Sequence, residues 1–112
     1  MKKTYLGEFE EVILLTVALL NGQAYGVAIT EALEEQTGRA ASISAVHATL
    51  HRLQDKGFVK SYMGGATAER GGRRKRFFTV TPAGSRALYE IKQVREQFWQ
   101  QIPPKALQWK TI

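Results

Sequence analysis

The side chains best suited to chemistry lie on one face of a predicted amphipathic helix over residues 43–56. Helical spacing brings small and hydrogen-bonding residues together on this face: Ser44, His47, Ala48, His51 and Arg52. The opposite face is apolar and consists of Val46, Leu50 and Leu53. Short side chains let a helix approach a base edge closely, and Ser, His and Arg can hydrogen-bond to one, so this face is suited to reading nucleic acid. An ordinary solvated face is the alternative.

His47 and His51 are also spaced at i and i+4, as metal ligands on a helix often are. The sequence has no cysteine and no third ligand near these histidines, so we predict no metal site. Catalysis would need a nucleophile, a base and an orienting group that converge in a pocket, and the sequence shows no such set. Most carboxylates fall on the first two predicted helices, away from the histidines. We therefore predict neither an enzyme nor a bound cofactor.

A glycine-rich basic loop, residues 64–76, follows this helix. Its positively charged residues are Arg70, Arg73, Arg74, Lys75 and Arg76. Strand-forming residues flank the loop, with Phe58 and Val59 before it and Phe78 and Val80 after it. The pattern predicts a hairpin whose flexible tip attracts phosphate. A nucleotide-cradling loop is the rival interpretation, but no Gly-Lys-Ser/Thr element is present and no helix opens directly after the loop.

The net charge of +6 is unevenly distributed. Residues 1–40 hold three Lys or Arg against six Asp or Glu, residues 41–81 hold eight against two, and residues 82–112 hold five against two. The positive excess coincides with the predicted helix and hairpin, where it would attract the phosphates of a nucleic acid. A solubilising surface and a contact with membrane phospholipid are the alternatives that charge alone leaves open.

Length and composition favour one small domain. The chain has 112 residues and no cysteine, which excludes disulfides and thiolate metal sites. The N-terminal residues lack the pattern of a signal peptide, and the apolar run over residues 12–20 is too short to span a bilayer. We expect a soluble protein of the cytoplasm that has no membrane partner.

The fold class is predicted to be mainly α with a small β-hairpin. Glycine at helix C-termini tolerates left-handed backbone, so Gly22, Gly38 and Gly57 end the first three helices. Ser42 can cap the third helix, and Thr81-Pro82 opens the fourth. This order of elements predicts a winged helix-turn-helix followed by a long helix. The predicted divisions are a DNA-binding domain over residues 1–81, a dimerisation helix over 82–104 and a short tail over 105–112, to which no role is assigned.

Apolar surface on the first and last helices predicts a homodimer. The first helix, residues 9–20, is apolar on both sides, and the last is too long for its own domain to cover its apolar stripe. The predicted interface residues of the first helix are Phe9, Val12, Leu15 and Leu19. Those of the last helix are Leu88, Ile91, Arg95, Phe98, Trp99 and Ile102. Intramolecular packing of Phe98 and Trp99 is the alternative.

The ordered set of these motifs resembles the PadR family of transcriptional regulators. The resemblance rests on Tyr25-Gly26-Val27, on Ala45 to Leu53 after Ser42, on Lys56-Gly57-Phe58-Val59, and on Arg73 to Gly84. It extends over about residues 6–102, nearly the whole chain. It implies a homodimeric winged-helix DNA-binding protein, usually a repressor, whose C-terminal helix packs against the partner's N-terminal helix. The short chain is similar to the subgroup that has a single C-terminal helix.

The sequence departs from this family at His47, where relatives often have tyrosine. A tyrosine contact to phosphate therefore does not carry over, although histidine could donate to a phosphate or accept from a base. The resemblance also implies that a planar aromatic effector could bind near Phe98 and Trp99 at the dimer centre, because an indole can stack on a flat ligand. Packing of Trp99 within the dimer is the alternative.

The sequence as a whole predicts a sequence-specific DNA-binding regulator, a homodimeric repressor that binds a palindromic operator in double-stranded DNA. The helix over residues 43–56 would read the major groove, and the wing over residues 64–76 would contact the backbone. The predicted DNA-binding residues are Ser42, Ser44, His47, Ala48, His51, Arg52, Arg70, Arg73, Arg74 and Lys75. The alternative is a winged-helix protein-interaction module without a DNA site, which weak, salt-insensitive DNA binding would favour.

Overall fold

The computed structural model describes residues 5–64 and 74–108 and shows a mainly helical fold with one antiparallel hairpin. Its elements are, in order, α1 (Glu8–Leu20), α2 (Gly26–Thr37), α3 (Ile43–Asp55), β1 (Val59–Gly64), β2 (Lys75–Val80), α4 (Pro82–Gln101) and a short 3-10 turn (Pro104–Leu107). The fold class predicted from the sequence is confirmed.

The first three helices begin and end within one residue of the positions predicted from the sequence, where local capping signals lie. Gly38 and Gly57 adopt left-handed backbone, with φ values of 73° and 81°. The Gly38 N–H donates to the Glu34 carbonyl at 2.8 Å, which satisfies a carbonyl at the end of α2. At the start of α3, the Ser42 hydroxyl accepts the Ala45 N–H at 3.0 Å, as expected of an N-cap.

One core is formed by α1, α2, α3 and the hairpin. Its fully buried aliphatic side chains come from the three helices: Ile13, Leu14, Val17, Ile29, Leu33, Val46, Leu50 and Leu53. Phe58, Val59 and Phe78 add the buried face of the hairpin. The helices therefore present one apolar stripe each to a shared interior, and their opposite faces are left for solvent or a partner.

The hairpin is docked onto the helix-turn-helix. Its strands pair from Val59 opposite Val80 to Gly64 opposite Lys75, and the Phe78 N–H donates to the Ala24 carbonyl just before α2 at 2.8 Å. The wing predicted from the sequence reaches residue 76, but the structure places Lys75 and Arg76 in β2. The difference arises because the strand pairing extends as far as Gly64 opposite Lys75, so these two cations lie in β2 at the loop end of the hairpin.

The second half of α4 extends beyond the core. Ala87 is buried and Leu88 and Ile91 are half-buried, whereas every residue from 92 to 101 is exposed. The helix ends at Gln101 rather than at residue 104, because Pro103 disfavours helical backbone at Ile102, which is extended (φ −75°, ψ 124°). None of the helices in the described part of the chain combines the length and apolar character that a membrane span requires.

Candidate nucleic-acid interface

The predicted reading helix, α3, buries one face completely and exposes the other. Val46, Leu50 and Leu53 are fully buried. Four of the predicted DNA-facing residues are exposed together along the helix: Ser44, His47, Ala48 and His51. The hydroxyl and imidazole groups therefore stand on a helix whose rotation about its own axis is set by the core. Ser42 is also exposed, although its hydroxyl already caps the helix.

His47 contacts the first residue of α2. A Cβ added to Gly26 would lie 2.7 Å from the His47 Nε2 and 3.3 Å from the Ile43 Cδ1. A side chain at position 26 would therefore have to displace the ends of the His47 and Ile43 side chains, so glycine leaves room for the His47 imidazole against the start of α2. Residues 5–64 and 74–108 contain no group of three or more His, Cys, Asp or Glu side chains that could hold a metal ion.

Arg52 and Lys56 are paired within the protein, at the end of α3. The Lys56 Nζ donates to the Glu10 Oε1 at 2.8 Å, and the Arg52 Nε donates to the Glu10 Oε2 at 3.3 Å. Arg52 also donates to the Thr49 hydroxyl at 3.1 Å. The structure thus separates Arg52 from the other predicted base-reading residues, because its guanidinium is directed to α1.

Glu10 is a buried acidic residue that the sequence interpretation missed. Burial raises the pKa of its carboxyl group, but hydrogen bonds from Lys56 and the Gly7 N–H, the charge of Lys56 and a hydrogen bond from Arg52 outweigh burial and hold the pKa below its ordinary value. The carboxylate is therefore charged at neutral pH. The available signal was helical spacing, because Glu10 precedes the buried Ile13 by three residues and lies on the same stripe.

The described basic residues of the wing are all exposed at the loop end of the hairpin: Arg74, Lys75 and Arg76. The Arg76 guanidinium donates to the Ser61 hydroxyl on the facing strand at 3.0 Å. Two further predicted wing residues, Arg70 and Arg73, lie outside the described residues. The loop end of the hairpin thus carries three exposed positive charges.

An aromatic cluster joins the hairpin to the start of α2. The Tyr25 ring meets the Phe77 ring edge-on with 5.5 Å between the ring centroids, and the Tyr62 ring stacks on the Phe77 ring at 5.6 Å. The Lys75 ammonium lies over the Tyr25 ring, 4.1 Å from its centroid. A cation held over a tyrosine face is attracted to it, so the position of Lys75 is tied to the helix-turn-helix.

The predicted dimer residues fall into two groups. Phe9, Val12, Leu88 and Ile91 are half-buried against the chain's own core. Leu15, Leu19, Phe98 and Trp99 are exposed by 48, 59, 65 and 66%. Ile102 is half-buried, and Arg95 donates to the Glu11 carboxylate of α1 at 2.8 Å. The apolar surface left for a partner therefore consists of the exposed group, with Val94 beside it.

A groove of about 670 Å³ lies between α1 and α4. Its apolar lining includes Leu15 and Ala18 from α1 and Leu88 and Trp99 from α4. Of the two predicted effector-site residues, Trp99 lines this groove, whereas Phe98 is exposed outside its lining. Of the two residues, only Trp99 could therefore contact a ligand in this groove.

Solved structures of several proteins have a similar fold. A PadR-like transcriptional regulator from Bacillus cereus superposes with a TM-score of 0.71 at 20% identity, covering 91% of this chain and 93% of that one. A PadR family regulator from Clostridium difficile gives 0.64 at 22% identity, covering 88% and 98%. Bacillus subtilis PadR in complex with operator DNA gives 0.60 at 21% identity and 94% coverage of this chain, which spans 50% of that protein's length.

Sequence comparison identifies the family. Among curated proteins, none matches this chain significantly. The model of the transcriptional regulator PadR-like family matches residues 14–90, a segment that includes α2, α3 and both strands of the hairpin. The chain therefore belongs to the PadR-like family of transcriptional regulators.

Proposed function

We propose that this protein is a homodimeric, sequence-specific DNA-binding repressor. The observation that carries the proposal is the division of α3 into a fully buried face and a solvent face of small and hydrogen-bonding side chains. Such a helix fits the major groove, where Ser44, His47 and His51 can hydrogen-bond to base edges. The similar fold of Bacillus subtilis PadR, which was solved with operator DNA, supports a DNA partner.

The wing supplies phosphate contacts in this proposal. Arg74, Lys75 and Arg76 are exposed at the loop end of the hairpin, and hydrogen bonds and aromatic contacts join the hairpin to the start of α2. With α3 in the major groove, the hairpin would lie along the flanking backbone or minor groove. Arginine and lysine there add affinity that depends on salt and little on sequence.

The dimer in this proposal pairs α1 of one protomer with α4 of the other. Ten consecutive residues of α4, 92 to 101, are exposed and include Val94, Phe98 and Trp99. Exposed apolar side chains on one side of a helix favour a partner surface, and Leu15 and Leu19 of α1 offer a matching one. Two α3 helices related by a two-fold axis would then read a palindromic operator.

Selection of bound duplexes from a random DNA pool tests this function. We expect a palindrome whose half-sites are centred about one helical turn, or a multiple of it, apart. Transcription in vitro from a template carrying that site should fall when the protein is added. A pool without enrichment, together with weak, salt-insensitive DNA binding and a stable hetero-complex, would instead identify a protein-interaction module.

Alanine substitutions should separate reading from anchoring. His47→Ala or His51→Ala should weaken binding to the selected operator by about 1–3 kcal/mol and affect non-specific DNA much less, because a base contact is lost. Arg74→Ala should weaken both duplexes equally and reduce the salt slope by about one, because a phosphate contact is lost. Fluorescence anisotropy across a salt series measures both effects. Altered sequence preference in Arg74→Ala, with the slope intact, would reverse these roles.

We also propose that a planar aromatic effector binds beside Trp99. The groove of about 670 Å³ has the size of a small-molecule site, and the exposed indole offers a flat stacking surface. In the proposed dimer, the partner would enclose this groove further. A ligand changes DNA affinity only through its differential binding to two dimer conformations, so an effector must both bind and alter operator affinity.

A fluorescence screen tests the effector site. The chain has two tryptophans, so in a Trp109→Phe variant the emission comes from Trp99 alone. A planar aromatic ligand that stacks on the indole should quench this emission and change operator affinity. Calorimetry with Trp99→Ala should then show at least about a tenfold loss of ligand affinity, since most of the stacking surface is removed. Ligand affinity that is the same in Trp99→Ala as in the unmodified protein would exclude this site.

A further inference from the structure

The Glu10 carboxylate of α1 collects three hydrogen bonds beside the reading helix. Its Oε1 accepts from the Lys56 Nζ at 2.8 Å and from the Gly7 N–H at 2.9 Å, and its Oε2 accepts from the Arg52 Nε at 3.3 Å. The Glu10 side chain is only 9% exposed, whereas those of Arg52 and Lys56 are 56% and 36% exposed. A largely desolvated anion thus holds two cations that are themselves at the surface.

These two cations are the only Lys or Arg residues within residues 43–56. Arg52 directly follows the exposed His51, so it emerges from the flank of the reading face rather than from the core side. In a helix lying in the major groove, long basic side chains on such a flank can reach the phosphates. Both basic side chains of this segment are instead directed to α1.

We propose that Glu10 is a positioning residue that determines specificity, by holding Arg52 and Lys56 away from DNA phosphates. The inference rests on the proposed DNA-binding function. Phosphate contacts supply nearly all the affinity of non-specific binding, and specificity is the ratio of operator affinity to non-specific affinity. Glu10 therefore limits the sequence-independent contacts that the reading helix makes with phosphates, so that the wing supplies most of these contacts.

The charge state of Glu10 is consistent with this role. The hydrogen bonds and the positive charge around it keep the pKa of its carboxyl group below the ordinary value despite burial. It therefore competes with phosphate as a fully charged group throughout the neutral range. Its partners reach it from α3 across 42 and 46 residues of sequence, so the pairing also fixes α3 against α1.

Glu10→Gln tests the proposal, with Glu8→Gln as the matched control. Glu8 lies in the same helical turn, and its carboxylate pairs at 2.8 Å with Arg39, which is outside the reading helix. Both variants lose one negative charge, but only Glu10→Gln removes the ion pairs of Arg52 and Lys56, which then keep their hydrogen bonds to the Thr49 hydroxyl and the Tyr5 carbonyl. The measurement is the salt dependence of affinity for a duplex of unrelated sequence, alongside affinity for the selected operator.

We expect Glu10→Gln to steepen the salt slope for the unrelated duplex by about one, because a cation freed from Glu10 gains a phosphate contact. The affinity of this variant for the unrelated duplex should rise about threefold to tenfold at low salt. The specificity ratio should fall by a similar factor, and Glu8→Gln should match the unmodified protein. Equal slopes for the two variants would overturn the proposal, because the effect would then be one of net charge or absent. Thermal unfolding of both variants shows whether each is folded.

A measurement on the unmodified protein covers the case in which Glu10→Gln does not fold. The NMR resonance of the Arg52 Nε–H should stay unchanged when the unrelated duplex is added, whereas that of Arg74 should shift. A shift of the Arg52 resonance comparable to that of Arg74 would overturn the proposal. If the unmodified protein binds no DNA, the proposed function fails and this inference with it. If the protein binds DNA in a salt-dependent way but Glu10→Gln and Glu8→Gln have equal salt slopes, this inference fails and the proposed function stands.

Discussion

Phe98→Glu is expected to produce a folded monomer that binds the selected operator about a hundredfold more weakly, because the two half-sites are no longer engaged together. Phe98 is 65% exposed in the isolated chain, so the new charge has access to water and should change the free energy of unfolding by about 0.5 kcal/mol or less. In the proposed dimer the same position is covered, and an unpaired buried carboxylate opposes association. Sedimentation velocity measures the mass, and anisotropy measures the affinity.

Gln97→Glu is the control for this prediction. Gln97 is an exposed neighbour on the same helix, but helical spacing places it away from the stripe that contains Leu88, Ile91 and Phe98. The Gln97→Glu substitution introduces the same charge, and we expect this variant to remain a dimer with unchanged DNA affinity. A Phe98→Glu variant that still sediments as a dimer would contradict the proposed interface. An unmodified protein that is monomeric at roughly tens of micromolar would contradict the proposed interface as well.

Gly84→Ala should be the most destabilising single methyl addition in the described fold. A Cβ at Gly84 would overlap the Phe58 carbonyl oxygen and lie 2.9 Å from the Val80 Cγ1. The Phe58 carbonyl cannot easily move, because it accepts the Thr81 N–H at 3.0 Å. We expect the free energy of unfolding to fall by about 3 kcal/mol, at the upper end for overpacking, since the first turn of α4 must separate from the hairpin. Chemical denaturation measures the loss.

Ser85→Ala provides the comparison for Gly84→Ala. Ser85 is the next residue of α4 and is exposed, so the same final side chain should change the free energy of unfolding by about 0.5 kcal/mol or less. Equal stability of the two variants would show that α4 does not press against Phe58 as closely as the structure indicates. A loss confined to Gly84→Ala would confirm that this glycine is required for the close approach of α4 to the hairpin.

The acidic first turn of α1 illustrates what sequence inspection overlooks. From the sequence, Glu8, Glu10 and Glu11 are three carboxylates at a helix N-terminus, where the helix dipole favours them. In the structure each one reaches a different part of the fold. Glu8 pairs with Arg39 after α2, Glu10 with two residues at the end of α3, and Glu11 with Arg95 of α4. These partners are 31 to 84 residues away, so no local pattern identifies them.

Local signals in the sequence specify the helices, the strands and the buried face of each. Gly38 and Gly57 stop helices through backbone preferences at a single residue, and Ser42 and Thr81 cap helices through hydrogen bonds that span three residues. Helical spacing likewise separated the buried and exposed faces of α3. These signals act over a few residues, which is why they could be interpreted before the fold was known.

Which of the candidate side chains are available to a partner depends instead on tertiary packing. Tertiary packing directs Arg52 to Glu10, places Lys75 over the Tyr25 ring, and leaves Leu15 exposed. The predicted dimer residues Phe9 and Val12 were found packed against the chain's own core. Such outcomes depend on how segments far apart in sequence pack together, because that packing sets which charges meet and which apolar surfaces are covered. Composition and spacing along one helix contain no information about the helix that will lie across it.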